Sequence, residues 1–437
     1  MVLFLPFSGH ALTSQTTRNA IQGNVPYLTF DGGRTRAVDT NGLLGITLSN
    51  GTNYTPSTNT SSSSAPISLP VEGQSFADIR MFVPTDINSV DLSTLIGPPN
   101  NYWGDDDGDS GVTATGSLSL SIVDKNNQSV SRNSVLTICN APYRIKLSST
   151  DGTLSTRYGF PNRSTFSARS ETYYVNPQAS PVVCFARPNL TYGASGFAGP
   201  ASMWDPSNGF IPQSTDPSLY GRNFPTTGAN GLYFDLLITG SSQPLSWSPV
   251  SHGGITATMS NPTATSVGVT LTGPYATPSQ HSSTTPSPIS TPTLPQTFEL
   301  VGRDTNGTPV VKYGFTLKQW FVNRGTNAYT YPNTLSWCNS LGYRMPSVRD
   351  LTNAVRTDVV VPSATPSSPS NHFMRHIDAG FFTEWGRVYD YSGVGFSLDW
   401  YWTSDPNGIR QFLVSAYNGN MIWNHTYNNY YGLCSHP

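Results

Sequence analysis

Trp337-Cys338-Asn339-Ser340-Leu341-Gly342-Tyr343-Arg344-Met345-Pro346-Ser347 is the stretch whose reading decides the architecture of the chain. Pro332 to Leu341 reads as a helix, and Gly342 sits where a helix closes on a left-handed residue. Arg344-Met345-Pro346 reads as a short strand. Ser347, with Asp350 three residues later, is a capping-box-like start for a second helix to about Val355. Downstream, Tyr401-Trp402-Thr403-Ser404-Asp405 has the β-branched and aromatic content of a strand. Phe412, Val414 and Ala416 alternate, Asn418-Gly419 turns, and Met421 and Trp423 continue, which is a hairpin. Cys434, close to the last residue, is placed to pair with Cys338.

This order of helix, Arg-Met-Pro strand, second helix, Trp-Thr-Ser strand, hairpin and terminal cysteine resembles the C-type-lectin-like domains at the tips of invasin- and intimin-type bacterial adhesins. The resemblance implies an α+β domain over residues 298–437 that binds a surface, with no catalytic role. Three upstream stretches resemble an adhesion-domain family of secreted invasin-like proteins. They are Cys139-Asn140-Ala141-Pro142-Tyr143, Cys184-Phe185-Ala186-Arg187-Pro188-Asn189-Leu190, and Asn223-Phe224-Pro225-Thr226-Thr227-Gly228-Ala229-Asn230-Gly231-Leu232-Tyr233-Phe234. That resemblance covers roughly residues 24–272 and implies a β-sandwich of the Ig-like kind.

Composition agrees with a mainly β chain. Aromatics make up 12% of the 437 residues, and 39 Gly and 35 Pro provide turns. Gly116 to Val123 alternates with period two, and Tyr143 to Ser148, Thr172 to Val175, Leu232 to Ile238 and Val267 to Leu271 read as further strands. Charged residues are only 11% and the net charge is −2, which argues against a nucleic-acid partner or an anionic membrane face. The 4 cysteines allow three connectivities. Domain logic favours Cys139–Cys184 and Cys338–Cys434, and disulfides imply an oxidising compartment. Val2 to Phe7, followed by Ser8-Gly9-His10-Ala11, reads as the end of a secretory leader, so residues 1–23 are expected to be a leader remnant and flexible N-terminus.

Pro274 to Gln296 has no apolar periodicity, and its repeated Pro, Ser and Thr predict an extended, semi-rigid linker over 273–297. Between residues 24 and 272 one sandwich cannot be told from two, with a break near Pro200 to Tyr220.

Candidate chemistry is sparse. Asp105, Asp107 and Asp109 form the densest acidic run, and hard oxygen ligands around Gly108 suit Ca²⁺. The run lacks EF-hand spacing and a terminal Glu, so it reads equally as a solvated turn; no cofactor is required. Asp405-Pro406-Asn407 and Trp423-Asn424-His425 correspond to the Glu-Pro-Asn loop and Trp-Asn-Asp strand of sugar-binding lectins. Here the first carboxylate is shortened to Asp and His425 replaces a hard anionic oxygen, which weakens Ca²⁺, and Asp405-Pro406-Asn407-Gly408 reads instead as a tight turn. His372 and His376 share i,i+4 spacing, with Asp378 nearby, but Phe373 occupies the place of a catalytic Glu. Tyr427, Asn428, Asn429, Tyr430 and Tyr431 combine aromatic area with amide hydrogen bonding and are the expected ligand-contact residues.

The expectation is a secreted or surface-associated bacterial adhesin that binds a host or cell-surface protein through its C-terminal domain. Calcium-independent glycan binding, or service as a secreted partner of an intimin-like outer-membrane exporter, are the competing readings. Low overall charge implies an affinity that varies little with salt.

Overall fold

The computed structural model describes residues 22–358 and 363–437. The leader-like run lies outside them. The chain divides into two compact units, one ending at Ala179 and one running from Ser180 to Pro437.

In the first unit a five-stranded sheet has the order Ile67–Glu72, Ser170–Gln178, Tyr143–Ser149, Ser117–Val123, Ser89–Asp91. Only its first pair is parallel. The alternation read from the sequence explains the register. Leu120 faces Leu147 and Ile122 faces Ile145, and all four are buried. A smaller sheet, Thr113–Ala114 with Gly152–Ser155 and Arg163–Phe166, adds Leu154 and Phe166 to the same core. Gly42 to Leu48 forms a 3-10 turn at Asn41–Leu43 and only a two-residue strand, Ile46–Thr47.

The second unit contains a seven-stranded sheet running from Trp204–Asp205 through Val182–Arg187 and Tyr233–Thr239 to Val250–His252. Val182–Arg187 pairs with Tyr233–Thr239. The division within the expected 24–272 domain therefore falls at Ala179–Ser180, ahead of the 200–220 break.

The linker expected over 273–297 is instead a folded strap. The indole N–H of Trp320 donates to the Pro274 carbonyl (2.8 Å), that of Trp337 to Gln280 (2.8 Å), and the Tyr343 hydroxyl to Ser290 (2.8 Å). Ile289 N–H reaches the Leu341 carbonyl, and Thr293 N–H that of Gly253. Ala276 is buried. Backbone carbonyls that would have faced water in a free linker are matched by ring donors from distant sequence, which satisfies the polar backbone as burial requires.

The C-terminal segment is likewise not separate. Strand Thr227–Ala229 runs parallel to Gln319–Asn323, which pairs antiparallel with Leu433–His436. Trp320 lies against Gly228 and Gly273, where a Cβ would come within 2.9 and 2.6 Å of the ring. One apolar core joins Phe234, Leu271 and Phe315 to Trp337, Phe381 and Leu433. The helix Tyr331–Leu341 ends at Gly342 with φ of 85°. The second helix is shorter than expected, Val348–Leu351, because Thr352 is extended and its hydroxyl bonds the Gly419 carbonyl. Cys338 and Cys434 are bonded across 96 residues and join the helix to the last strand.

Candidate binding surface

The charged groups buried in the C-terminal segment are structural. Glu384 has no exposed surface, and its carboxylate accepts from the backbone N–H and hydroxyl of both Thr226 and Thr227 and from Asp378 N–H. Burial raises its pKa; the hydrogen bonds from Asp378, Thr227 and Thr226 oppose that shift. Arg375, also fully buried, donates to the carbonyls of Glu384, Asn189, Thr191 and Tyr192 and stacks over Trp204. Burial holds its pKa down at about 10. Arg324 donates to the carbonyls of His281, Ser283 and Asn333. These groups serve to fix loops to the core.

A three-stranded sheet, Trp400–Asn407, Arg410–Ser415 and Met421–His425, occupies the last part of the chain. Its register sets Asn407 opposite Arg410 and Arg410 opposite His425. The stretches Asp405-Pro406-Asn407 and Trp423-Asn424-His425 are thereby brought to one end, separated by a single strand. One oxygen of each stretch is turned inward. Asp405 Oδ2 accepts from Val348 N–H (2.6 Å), and Asn424 Oδ1 accepts from His425 N–H and Asn428 Nδ2 (both 2.8 Å). Burial raises the pKa of Asp405, with the Val348 N–H opposing. One oxygen from each stretch is thus already engaged inside the domain, which disfavours its use by a sugar-bound calcium ion.

The five expected contact residues separate into two groups. Tyr427 is 70% exposed, and its ring lies parallel to His425 at 5.1 Å. Asn429 is exposed as well, and Asn428 is half-buried against Asn424. Tyr430 and Tyr431 are half-buried. Tyr430 packs edge-on to Trp402 at 5.2 Å, receives Asn424 Nδ2 on its hydroxyl, and exchanges backbone hydrogen bonds with Tyr329. Tyr431 lies against Tyr401, with its N–H on the Trp400 carbonyl. Both lie just before the chain enters the strand Leu433–His436, which pairs with Gln319–Asn323 in a different sheet.

The sequence reading missed Ile409 and Arg410. Both are exposed, Ile409 by 81%, at the turn of the hairpin whose strands end at Asn407 and begin at Arg410. Gly408 was the available signal, since a glycine opening a two-residue hairpin turn places Ile409 at its exposed second position.

In the first unit, Asp105, Asp107 and Asp109 are brought together, with ligand-capable atoms within 4.8 Å of one another. Asp105 Oδ1 accepts from the N–H groups of Asp107 and Asp109, and Asp107 accepts from Asn24. No other group of three such side chains is placed to share an ion among the described residues. His372 and His376 diverge: His372 contacts Ser370 Oγ at 2.6 Å and stacks on Phe197, while His376 meets the Ile377 carbonyl. Asp378 pairs with Lys318 at 2.6 Å. No helix among the described residues is long and apolar enough to cross a membrane.

No protein-family model matches the chain, and no curated protein matches it. Among solved structures it is similar to invasin, described as a bacterial integrin-binding protein, at 13% identity and a TM-score of 0.37. That similarity covers 76% of this chain and 52% of the other, so the chain spans about half the length of the invasin structure. A C-terminal 282-residue fragment of intimin, solved with the intimin-binding domain of its translocated receptor Tir, is similar at 10% identity. There the TM-score is 0.35, covering 75% of this chain and 100% of the fragment. An intimin mutant of EHEC O157:H7 is similar at 14% identity and a TM-score of 0.29, over 50% of this chain and 93% of the other. Scores of this size do not establish a common fold along the chain.

Proposed function

We propose that this chain is a secreted or surface-associated bacterial adhesin that engages a protein receptor through the end of its terminal three-stranded sheet. The observation that carries the reading is the exposure of Tyr427, whose ring lies parallel to His425 beside an equally exposed hairpin tip. A large amphipathic ring with only two side-chain torsions loses little conformational entropy on binding, which suits an interface anchor. The motif resemblance of the Cys338 stretch to adhesin tips points the same way. The commitment of Asp405 and Asn424 to internal hydrogen bonds disfavours calcium-bridged sugar as the ligand.

The test is binding of the full chain to cultured epithelial cells, before and after protease or glycosidase treatment. Protease should remove binding and glycosidase should not. Tyr427→Ala should weaken it roughly thirtyfold, as expected for loss of an anchor of about 2 kcal/mol. Cells that bind equally after protease, or a variant that binds like the parent, would refute the assignment.

A further inference from the structure

The end of the terminal sheet carries more than Tyr427. Gly408 has φ of 62° and opens the two-residue turn between Asn407 and Arg410. That first position requires glycine, whereas the second does not require any particular residue. Ile409 occupies it and is the most exposed large hydrophobic side chain described. The hairpin gains nothing from an isoleucine there, so its presence calls for another explanation.

Arg410 is the second departure. Cations of the segment 319–437 are otherwise largely committed: Arg344 to Asp350, Arg356 to Asp358, Arg387 to Asp390, and Arg324 and Arg375 to buried carbonyls. Arg410 and Arg349 are exposed and make no ion pair among the described residues. Arg349 stands at the short helix against Asp405. Arg410 stands directly between Ile409 and His425, which carries the Tyr427 ring.

We infer that Ile409, Arg410 and the His425–Tyr427 stack form one contact surface, and that its partner is a protein segment presenting a carboxylate beside an apolar side chain. The inference rests on the adhesin reading and specifies its ligand. Charge complementarity requires the acid, since a guanidinium left without a carboxylate at an exposed tip is available to one supplied in trans. Ile409 decides between protein and acidic saccharide. A sugar can stack on Tyr427 and salt-bridge Arg410, but an aliphatic knob offers it no π-face, whereas a leucine or phenylalanine on a protein buries against it. The net charge of −2 describes the whole chain; the contact itself is locally cationic, so binding should weaken with salt.

The experiment uses the full chain against two probes: cultured epithelial cells, and an immobilised array of twelve-residue peptides in which Asp/Glu content and Leu/Phe content vary independently. Retention should be highest on peptides rich in both. It should fall about tenfold for Arg410→Ala and for Ile409→Ser, much less for Arg410→Lys, and severalfold between dilute buffer and about 0.5 M salt. Both side chains are exposed, so unchanged melting temperatures will show that the variants fold. Retention that follows acid or apolar content alone, or loss with Arg410→Ala but not with Ile409→Ser, would overturn the inference and indicate an acidic saccharide or simple charge attraction. Cell binding that survives both substitutions would overturn it while leaving the adhesin reading intact. A chain that binds neither cells nor peptides would refute both.

Discussion

Thr226 donates both its backbone N–H and its hydroxyl to the carboxylate of Glu384, 158 residues away and wholly buried. Thr227 does the same, and Asp378 N–H completes a set of donors that leaves neither oxygen free. The Thr226-Thr227-Gly228-Ala229 motif thus has a physical function: its two threonines seat the acid, and Gly228 admits Trp320.

Glu384→Ala should therefore cost about 3 kcal/mol or more, because five donors lose their acceptor in a buried site. Glu384→Gln tests the electrostatics. Asp378 and Tyr313 face the carboxylate, and Arg375 sits on its backbone carbonyl. Burial raises the folded pKa above the ordinary 4.5, so the site's contribution is fullest below that pH and declines as pH rises through the folded value. The stability advantage of the parent over Glu384→Gln should shrink as pH is raised above 4.5; thermal melts of both proteins from pH 4 to 7 measure it, and a widening advantage would contradict this account.

Residues 298–437 should not fold alone, whereas 180–437 should. The shorter piece lacks strand Thr227–Ala229 and the partners of Phe315, Trp320 and Glu384. Amide proton dispersion in NMR spectra of the two fragments distinguishes the outcomes, and a well-dispersed 298–437 spectrum would show that the shared core is dispensable.

The 96-residue separation closed by Cys338 and Cys434 should contribute about 4 kcal/mol in the chain-entropy view. Cys434→Ser, or selective reduction, should lower the melting temperature by several degrees or more. Non-reducing peptide mapping should recover Cys338 with Cys434 and no link from either to Cys139 or Cys184.

We propose that Asp105, Asp107 and Asp109 hold Ca²⁺. Beyond their mutual proximity, Asp105 Oδ2 is buried without a hydrogen-bond partner. Chelator should lower the melting temperature of the full chain, and Asp107→Ala should abolish that response. A parent protein indifferent to chelator would establish a plain acidic turn.

Tyr430→Ala should lower stability by about 2 kcal/mol through loss of its packing on Trp402. Tyr427→Ala should leave the melting temperature nearly unchanged while weakening cell binding. The reverse pattern would restore Tyr430 as a contact residue.

What the sequence disclosed follows from which interactions are local. Leu118, Leu120 and Ile122 announce a half-buried strand by spacing alone, and Gly342 announces a helix end by its neighbours. The strap at 274–296 could not be read this way. Its Pro, Ser and Thr content shows only that it is extended, while its burial depends on ring donors from Trp320, Trp337 and Tyr343, some fifty positions onward. The surface shows the same limit. Tyr427 and Tyr430 have equivalent polar surroundings in sequence, and only the return of the chain to Leu433 decides which one faces the core.

On the adhesin reading, the bound chain would be pulled as well as held. Tension entering at Tyr427 reaches the strand Leu433–His436 within a few residues, and there the Cys338–Cys434 bond ties it to the helix Tyr331–Leu341. Beyond that bond the load passes along Gln319–Asn323, which is zipped on both flanks and must shear several hydrogen bonds together before it yields. Only the short Thr426–Gly432 loop is left to stretch, so the proposed contact surface should keep its shape under forces that would extend a domain hung on a free tether.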